Sequence, residues 1–155
     1  METHAELSNC RKYRYALWRT WDKSKEKVMF IGLNPCTADE VEDDRTISRC
    51  ISYAKQWGYG GIIMANLFAF RTPSPFEMMA STDPVGPEND RWLRELANQA
   101  PMIVAMWGNS GTFRNRAYEV AKMFPELKCL RVTGAGQPHH TRGLPNGLLP
   151  VPYSC

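Results

Sequence analysis

Two asparagines stand at the ends of two apolar runs. Asn34 follows Val28-Met29-Phe30-Ile31-Gly32-Leu33, and Asn66 follows Ile62-Ile63-Met64-Ala65. A carboxamide offers a donor pair and an acceptor together. That mixture suits the edge of a heterocyclic base, although an amide in such a place can equally serve as a turn or cap residue. Besides His4, the chain's histidines are the adjacent pair His139 and His140. An imidazole there could exchange a proton or donate to an anionic leaving group. Asp39, Asp43 and Asp44 follow Asn34 in an acidic loop. One of them could be a general base, and Asp43 or Asp44 suits the N-cap of the helix that comes next. Cys36 with His140 is a candidate nucleophilic pair, but nothing around Cys36 resembles a nucleophile elbow. Gly108-Asn109-Ser110-Gly111 offers backbone N–H groups to an anion, or is simply a tight turn; it lacks the Gly-Lys-Ser/Thr of a phosphate-binding loop.

The elements that must position these residues follow from the hydrophobic periodicity. Five of the six residues of Val28–Leu33 are apolar, as in a strand buried on both faces. Pro35 pushes Asn34 toward extended backbone, which puts the amide at the strand's carboxyl end. Ile47, Cys50, Ile51, Ala54 and Trp57 fall on one helical face, and Gly58-Tyr59-Gly60-Gly61 ends that helix. A second buried strand is expected at 62–65. An irregular proline-containing segment covers 68–87, and Pro87 opens a helix burying Trp92, Leu93 and Leu96. A third strand is expected at 102–107, then a helix through Phe113, Ala117, Val120, Ala121 and Phe124, then a fourth strand at 127–132. The tail from Thr141 is rich in Gly and Pro and is expected to cross the surface. Near the start, Tyr13, Tyr15 and Leu17 alternate with Arg14, Ala16 and Trp18, an edge strand or hairpin arm with a solvated face, or a basic lip for a phosphate backbone.

The alternation specifies an α/β three-layer sandwich around a central, mostly parallel four-stranded sheet, with an N-terminal edge strand or hairpin and right-handed crossovers. Strand-end loops carrying Asn34, Asn66, Trp107 to Ser110, and His139/His140 then meet at one sheet edge, where open α/β sheets bind ligands. A chain of 155 residues predicts one domain spanning 1–155. Its 19 basic and 16 acidic residues give a net charge of +3, too mild to establish a polyanion partner or to exclude one. The first residues show no basic and apolar leader, and no apolar run has the length of a membrane span, so a cytoplasmic location is expected. Cys10, Cys36, Cys50, Cys129 and Cys155 are widely spaced with no Cys-x-x-Cys pair. They read as reduced thiols, with no metal and no cofactor expected.

From Tyr13 to the tail the chain resembles a bacterial and phage family of domains of unknown function. The matching residues include Leu33-Asn34-Pro35 with Thr37-Ala38-Asp39, Asp43-Asp44 with Thr46-Ile47, Trp57-Gly58-Tyr59-Gly60, Asn66-Leu67-Phe68-Ala69, Trp107-Gly108, and Gly136 with Pro138 and His140. That family in turn resembles the uracil-DNA glycosylase superfamily. Gly32-Leu33-Asn34-Pro35 is similar to a first catalytic motif whose asparagine positions the attacking water. Ile63-Met64-Ala65-Asn66 with Arg71-Thr72-Pro73 is similar to a strand ending in a base-reading asparagine. Ala105-Met106-Trp107-Gly108 resembles the third strand, and His140 falls at the histidine of the second catalytic motif. Thr141 stands where both families favour proline, Arg45 replaces a common proline, and the cluster-binding cysteines of thermophilic members have no counterpart.

The resemblance implies a DNA glycosylase-like enzyme that hydrolyses the N-glycosidic bond of an extruded, modified or unmodified base. Asn34, His140 and Asp39 would be catalytic, with Asp39 the nearest candidate for the water-activating aspartate. Asn66, Trp107, Phe68 and Gly32 would surround the base. Gly108, Asn109, Ser110, Arg71, Arg142 and Arg114 would meet phosphates. DNA is the expected partner of a monomer with no membrane association. Two alternatives remain: a module of the same fold that binds a base or nucleotide without cutting, and an N-glycosidase acting on free nucleosides or nucleotides.

Overall fold

The computed structural model describes residues 1–154. The strand run ending before Asn34 forms β3 (Lys27–Gly32) and the second run forms β4 (Gly61–Asn66). The two pair in parallel, with Gly32 opposite Asn66. Period-two alternation buries both faces of β3. Met29 and Ile31 pack on one side with Ile63, Ala65, Leu93 and Val120; Val28 and Phe30 pack on the other with Ile62, Met64, Ile47 and Cys50.

Around this pair the strands β1 (Glu2–Leu7), β2 (Arg14–Thr20), β5 (Ile103–Ala105), β6 (Lys128–Cys129) and β7 (Val151–Pro152) complete one sheet in the order β1-β2-β4-β3-β5-β6-β7. The expected four-stranded, mostly parallel sheet is therefore corrected to a seven-stranded mixed one. Parallel pairing joins β4 to β3, β3 to β5 and β5 to β6, while β1–β2, β2–β4 and β6–β7 are antiparallel. The extra strands come from both ends of the chain. The N-terminal hairpin turns through Ser8 to Tyr13, with Arg11 left-handed at φ 60, and lays β2 against β4. Segment Arg14–Thr20 is thus a hairpin arm in the sheet interior rather than an edge, and Arg14, expected on a solvated face, is only 2% exposed; Arg19 on the same strand is 0% exposed. Only Ala5 is buried in the short polar strand β1. The tail crosses the surface largely exposed, but it is tied down along its length. Leu144 and Leu148 pack against the first helix, and β7 then pairs with β6.

Helix α1 (Arg45–Gln56) is capped by Asp44, whose side chain accepts from the Ile47 N–H, and it closes at Trp57 before Gly58 at φ 84. It covers one face of the sheet. Helices α2 (Pro75–Ala80), α3 (Asn89–Ala97) and α4 (Arg116–Met123) contribute Met78, Leu93, Leu96, Ala117 and Val120 to the other. The expected helix through Phe113 begins only at Arg116. Before it lies a 3-10 turn, 109–115, broken by Phe113 and by left-handed Arg114 and Asn115. No helix among the described residues is long and apolar enough to cross a membrane.

The connection leaving β3 runs to α1 on one face, and the connection leaving the adjacent β4 runs to α2 and α3 on the other. Neighbouring strands whose exits diverge leave a crevice between their carboxyl ends. Asn34 and Asn66 stand at that crevice.

Candidate functional site

A cleft of about 1460 Å³ opens at this edge. Asn34, Asn66, His140, Gly32 and Arg142 line it together, with the α1 cap Asp44 and the strand residue Arg14. Leu33, Met64 and Met106 give it an apolar surface.

Asn66 is 2% exposed, and its amide Nδ2 has no hydrogen-bond partner among the described residues. Such a donor costs free energy until something accepts from it, and the ones native proteins retain call for an explanation such as a ligand. The residue is held by the chain that follows it. Asn89 Nδ2 donates to the carbonyls of Asn66 and Leu67, both at 3.0 Å, and Arg116 Nε donates to the Leu67 carbonyl at 2.8 Å. Arg116 is in turn paired with Asp90 at 2.5 Å. Gly32 makes the space: a Cβ there would meet Asn66 Oδ1 and Met64 Cε, each at 2.9 Å.

Asn34 is oriented differently. Its Nδ2 donates to the carbonyls of Thr72 at 2.9 Å and Pro35 at 3.2 Å. Carbonyl partners can only face the NH2 side of the carboxamide, so the Oδ1 side is left for a ligand or a water. The amide at the end of β3 therefore presents its acceptor, and the amide at the end of β4 keeps an unpartnered donor.

His140 accepts at Nδ1 from the Arg142 N–H, 2.9 Å away. Burial first, then the charges of Arg142 and His139, push its pKa down to about 4, with Asp44 opposing. At neutral pH the ring is uncharged and its proton sits on Nε2. It is a neutral hydrogen-bond donor rather than an imidazolium acid.

The other expected site residues lie elsewhere. Asp39 does not line the cleft. It accepts from the N–H groups of Glu42 (2.8 Å) and Val41 (2.9 Å), and these hydrogen bonds hold its pKa below the ordinary carboxylate value. Asp43 and Asp44 both line the cleft. Asp43 is paired with Arg19 at 2.7 Å, while Asp44 caps α1 at 2.9 Å through Ile47 N and accepts more weakly from Ala38 N at 3.3 Å. Trp107 and Phe68 are core residues and offer no stacking face. Trp107 is 2% exposed, donates to Gln137 at 3.0 Å and lies against Gly111, where a Cβ would come within 2.2 Å of its ring. Phe68 is fully buried beside Phe113.

The glycine loop is not a helix N-terminus. Gly108 N donates to the Pro138 carbonyl at 2.8 Å, Asn109 Oδ1 accepts from Thr133 at 2.6 Å, and Ser110 enters the 3-10 turn. Arg71 donates to the Thr37 carbonyl at 3.2 Å and lies 3.9 Å from Asp39. Arg114 folds over Phe113 on the kinked turn. Arg142 stays at the cleft, exposed, as does Arg45. Cys155 lies outside the described residues.

Several residues that shape the site carried no recognisable signal in sequence. Arg14 and Thr141 line the cleft, both buried and each with an unpartnered polar atom, Nε and Oγ1 respectively. Asn89 and Arg116 look like ordinary surface-helix residues until the carbonyls of Asn66 and Leu67 are seen to need them.

No curated protein and no solved structure matches the chain. Residues 14–141 match the family described as a protein of unknown function, DUF1643, and the chain belongs to that family.

Proposed function

We propose that the cleft binds a nucleobase and hydrolyses its N-glycosidic bond, the reaction of a DNA glycosylase. The observation that carries this reading is the buried Nδ2 of Asn66, an unspent donor in a cleft whose opposite amide, Asn34, is turned to accept. A carbonyl on the base edge would take the Asn66 donor. As the bond to the sugar loosens, the departing base gains negative charge, and the neutral Nε2–H of His140 would stabilise it. Removing one such donor costs about 3 kcal/mol of barrier. Asn34 Oδ1 would hold the attacking water, and Asp44 supplies the carboxylate that faces the sugar cation and accepts the water's proton. The strand-end resemblance to the uracil-DNA glycosylase superfamily points the same way. Exposed Arg45 and Arg142 at the rim suit the phosphates flanking an extruded nucleotide.

A module that holds the base without cutting is the second reading. It is favoured by Asp44, whose two oxygens already accept backbone N–H groups and are weakened as a base by doing so.

The test is an abasic-site assay on normal, uracil-containing and naturally hypermodified DNA, with alkali to reveal strand breaks. Breaks in one DNA, absent with Asn34→Ala, are the expected result. Binding without breaks in any DNA or release from any nucleotide replaces the hydrolase by the recognition module.

A further inference from the structure

Three arginines are buried to 2% exposure or less: Arg14, Arg19 and Arg116. Two have a carboxylate partner, Arg19 with Asp43 at 2.7 Å and Arg116 with Asp90 at 2.5 Å. Arg14 has none within ion-pair distance among the described residues. Its Nη1 donates to the Ala38 carbonyl at 3.0 Å, and its Nε has no partner among the described residues. A buried charge without a counter-ion destabilises the fold until something supplies one. Burial pulls the Arg14 pKa down to about 10; Asp44 opposes this, and Arg71 and Arg19 add to it, so the group stays charged at neutral pH. Thr141, fully buried and lining the same cleft, also has an unpartnered Oγ1.

We propose that Arg14 and Thr141 form an oxyanion subsite on the cleft wall, and that the substrate brings an anionic oxygen group to it. This deepens the base-hydrolysing reading and rests on it. An internal phosphodiester is tied on both sides to its strand and stays at the rim with Arg45 and Arg142. A guanidinium this deep is reached by a terminal phosphate, as on a nucleoside 5′-monophosphate, or by an acidic substituent on the base. Either would supply the missing counter-charge and engage the guanidinium by charge-assisted hydrogen bonds.

The experiment is calorimetric titration of the intact protein with inorganic phosphate, with uridine and its 5′-monophosphate, and with 5-carboxyuridine, in wild type and in Thr141→Val and Arg14→Lys variants. An anionic ligand should bind about tenfold or more tightly than uridine, and both variants should shrink that ratio. A preference for phosphate and the monophosphate names a terminal phosphate as the group; a preference for 5-carboxyuridine names the base. Thr141→Val conserves volume and keeps the test open if Arg14→Lys fails to fold. Equal binding of uridine and every anionic ligand, no binding by any of them, or an unchanged ratio in folded Thr141→Val overturns the subsite. Base release is read in the same samples. A charge-dependent ratio with no release in these samples and none from the DNA panel leaves the subsite standing and removes the hydrolase reading; release without a charge-dependent ratio does the reverse.

Discussion

Gly32 and Asn66 are register partners on adjacent parallel strands, and the absence of a side chain on the first is what accommodates the side chain of the second. A Cβ on Gly32 would press within 2.9 Å of Asn66 Oδ1 and of Met64 Cε. Met64 can swing away, but Asn66 is anchored through the carbonyls that Asn89 and Arg116 hold. Gly32→Ala is expected to cost about 1–3 kcal/mol of stability by overpacking and to weaken ligand binding by moving the amide. Asn66→Ala should separate these effects. It removes an unsatisfied buried donor, so the stability change should stay within about 1–2 kcal/mol while binding is lost. Urea unfolding alongside ligand titration checks both variants.

His140 sets the pH dependence. Its folded pKa is about 4, against 6.5 for an unperturbed histidine, with burial the main cause. The unfolded chain takes up a proton between those values that the folded chain refuses. His140 therefore leaves stability untouched above about pH 6.5 and erodes it as pH falls through that window, fully so below about 4. Activity that needs the neutral donor should be flat from pH 7 to 8 as far as His140 is concerned and decline only toward pH 4. Arg142→Ala removes the second-largest depressing influence and should raise the His140 pKa. Proton NMR titration of the imidazole reads this directly; an unmoved midpoint in the variant would exclude the charge of Arg142 as a cause.

Phe68 and Trp107 should behave as core residues. Phe68→Ala is expected to cost about 3–5 kcal/mol of stability, as deletion of a fully buried ring does. Below its unfolding temperature it should bind ligand as the wild type does. Selective loss of binding with unchanged stability would restore the stacking role that its place after Asn66 suggests.

Arg19 ties the loop before α1 to the hairpin. Its Nε pairs with Asp43 at 2.7 Å, and its Nη2 donates to the carbonyls of Asp39 (2.6 Å) and Glu42 (3.1 Å). Arg19→Met abandons those acceptors and should destabilise the protein by about 3 kcal/mol or more, whereas Asp43, being partly exposed, should cost less when removed. Hydrogen exchange in residues 38–44 of Asp43→Ala should rise before global stability changes; unaltered exchange there would contradict the loop-tying role.

Asn34 and Asn66 were legible because each follows a run whose hydrophobic pattern fixes where a strand ends, and Pro35 fixes the backbone of Asn34 besides; His140 lies well past the end of β6 and stood out as one of a histidine pair and through the family resemblance. Asp44 was legible as a cap because Ile47, Cys50 and Ile51 begin the helical period just after it. Arg14 was not. An arginine between tyrosines in an alternating segment looks solvated, and only the pairing of β2 with β4, set by long-range contacts, buries it. Thr141 registered as a departure from proline, not as a cleft residue. Of the antiparallel strands, β2 showed in its alternation as a hairpin arm, but β1 and β7 did not. β1 buries one small residue, and β7 is two residues in a proline-rich tail, so neither carries a period long enough to read. The glycine loop misled because a 3-10 turn and a helix N-terminus share the same glycine and asparagine punctuation.

The measurement that tests the central claim most directly is chromatographic and mass-spectrometric detection of free base released by wild type and by folded Asn66→Ala, from the DNA panel and from a nucleotide mixture. Release of one base by the wild type, reduced about a hundredfold or more in the variant, is the predicted result. Equal release by both proteins would contradict the role given to the Asn66 amide, and no free base from any substrate would contradict the hydrolase itself.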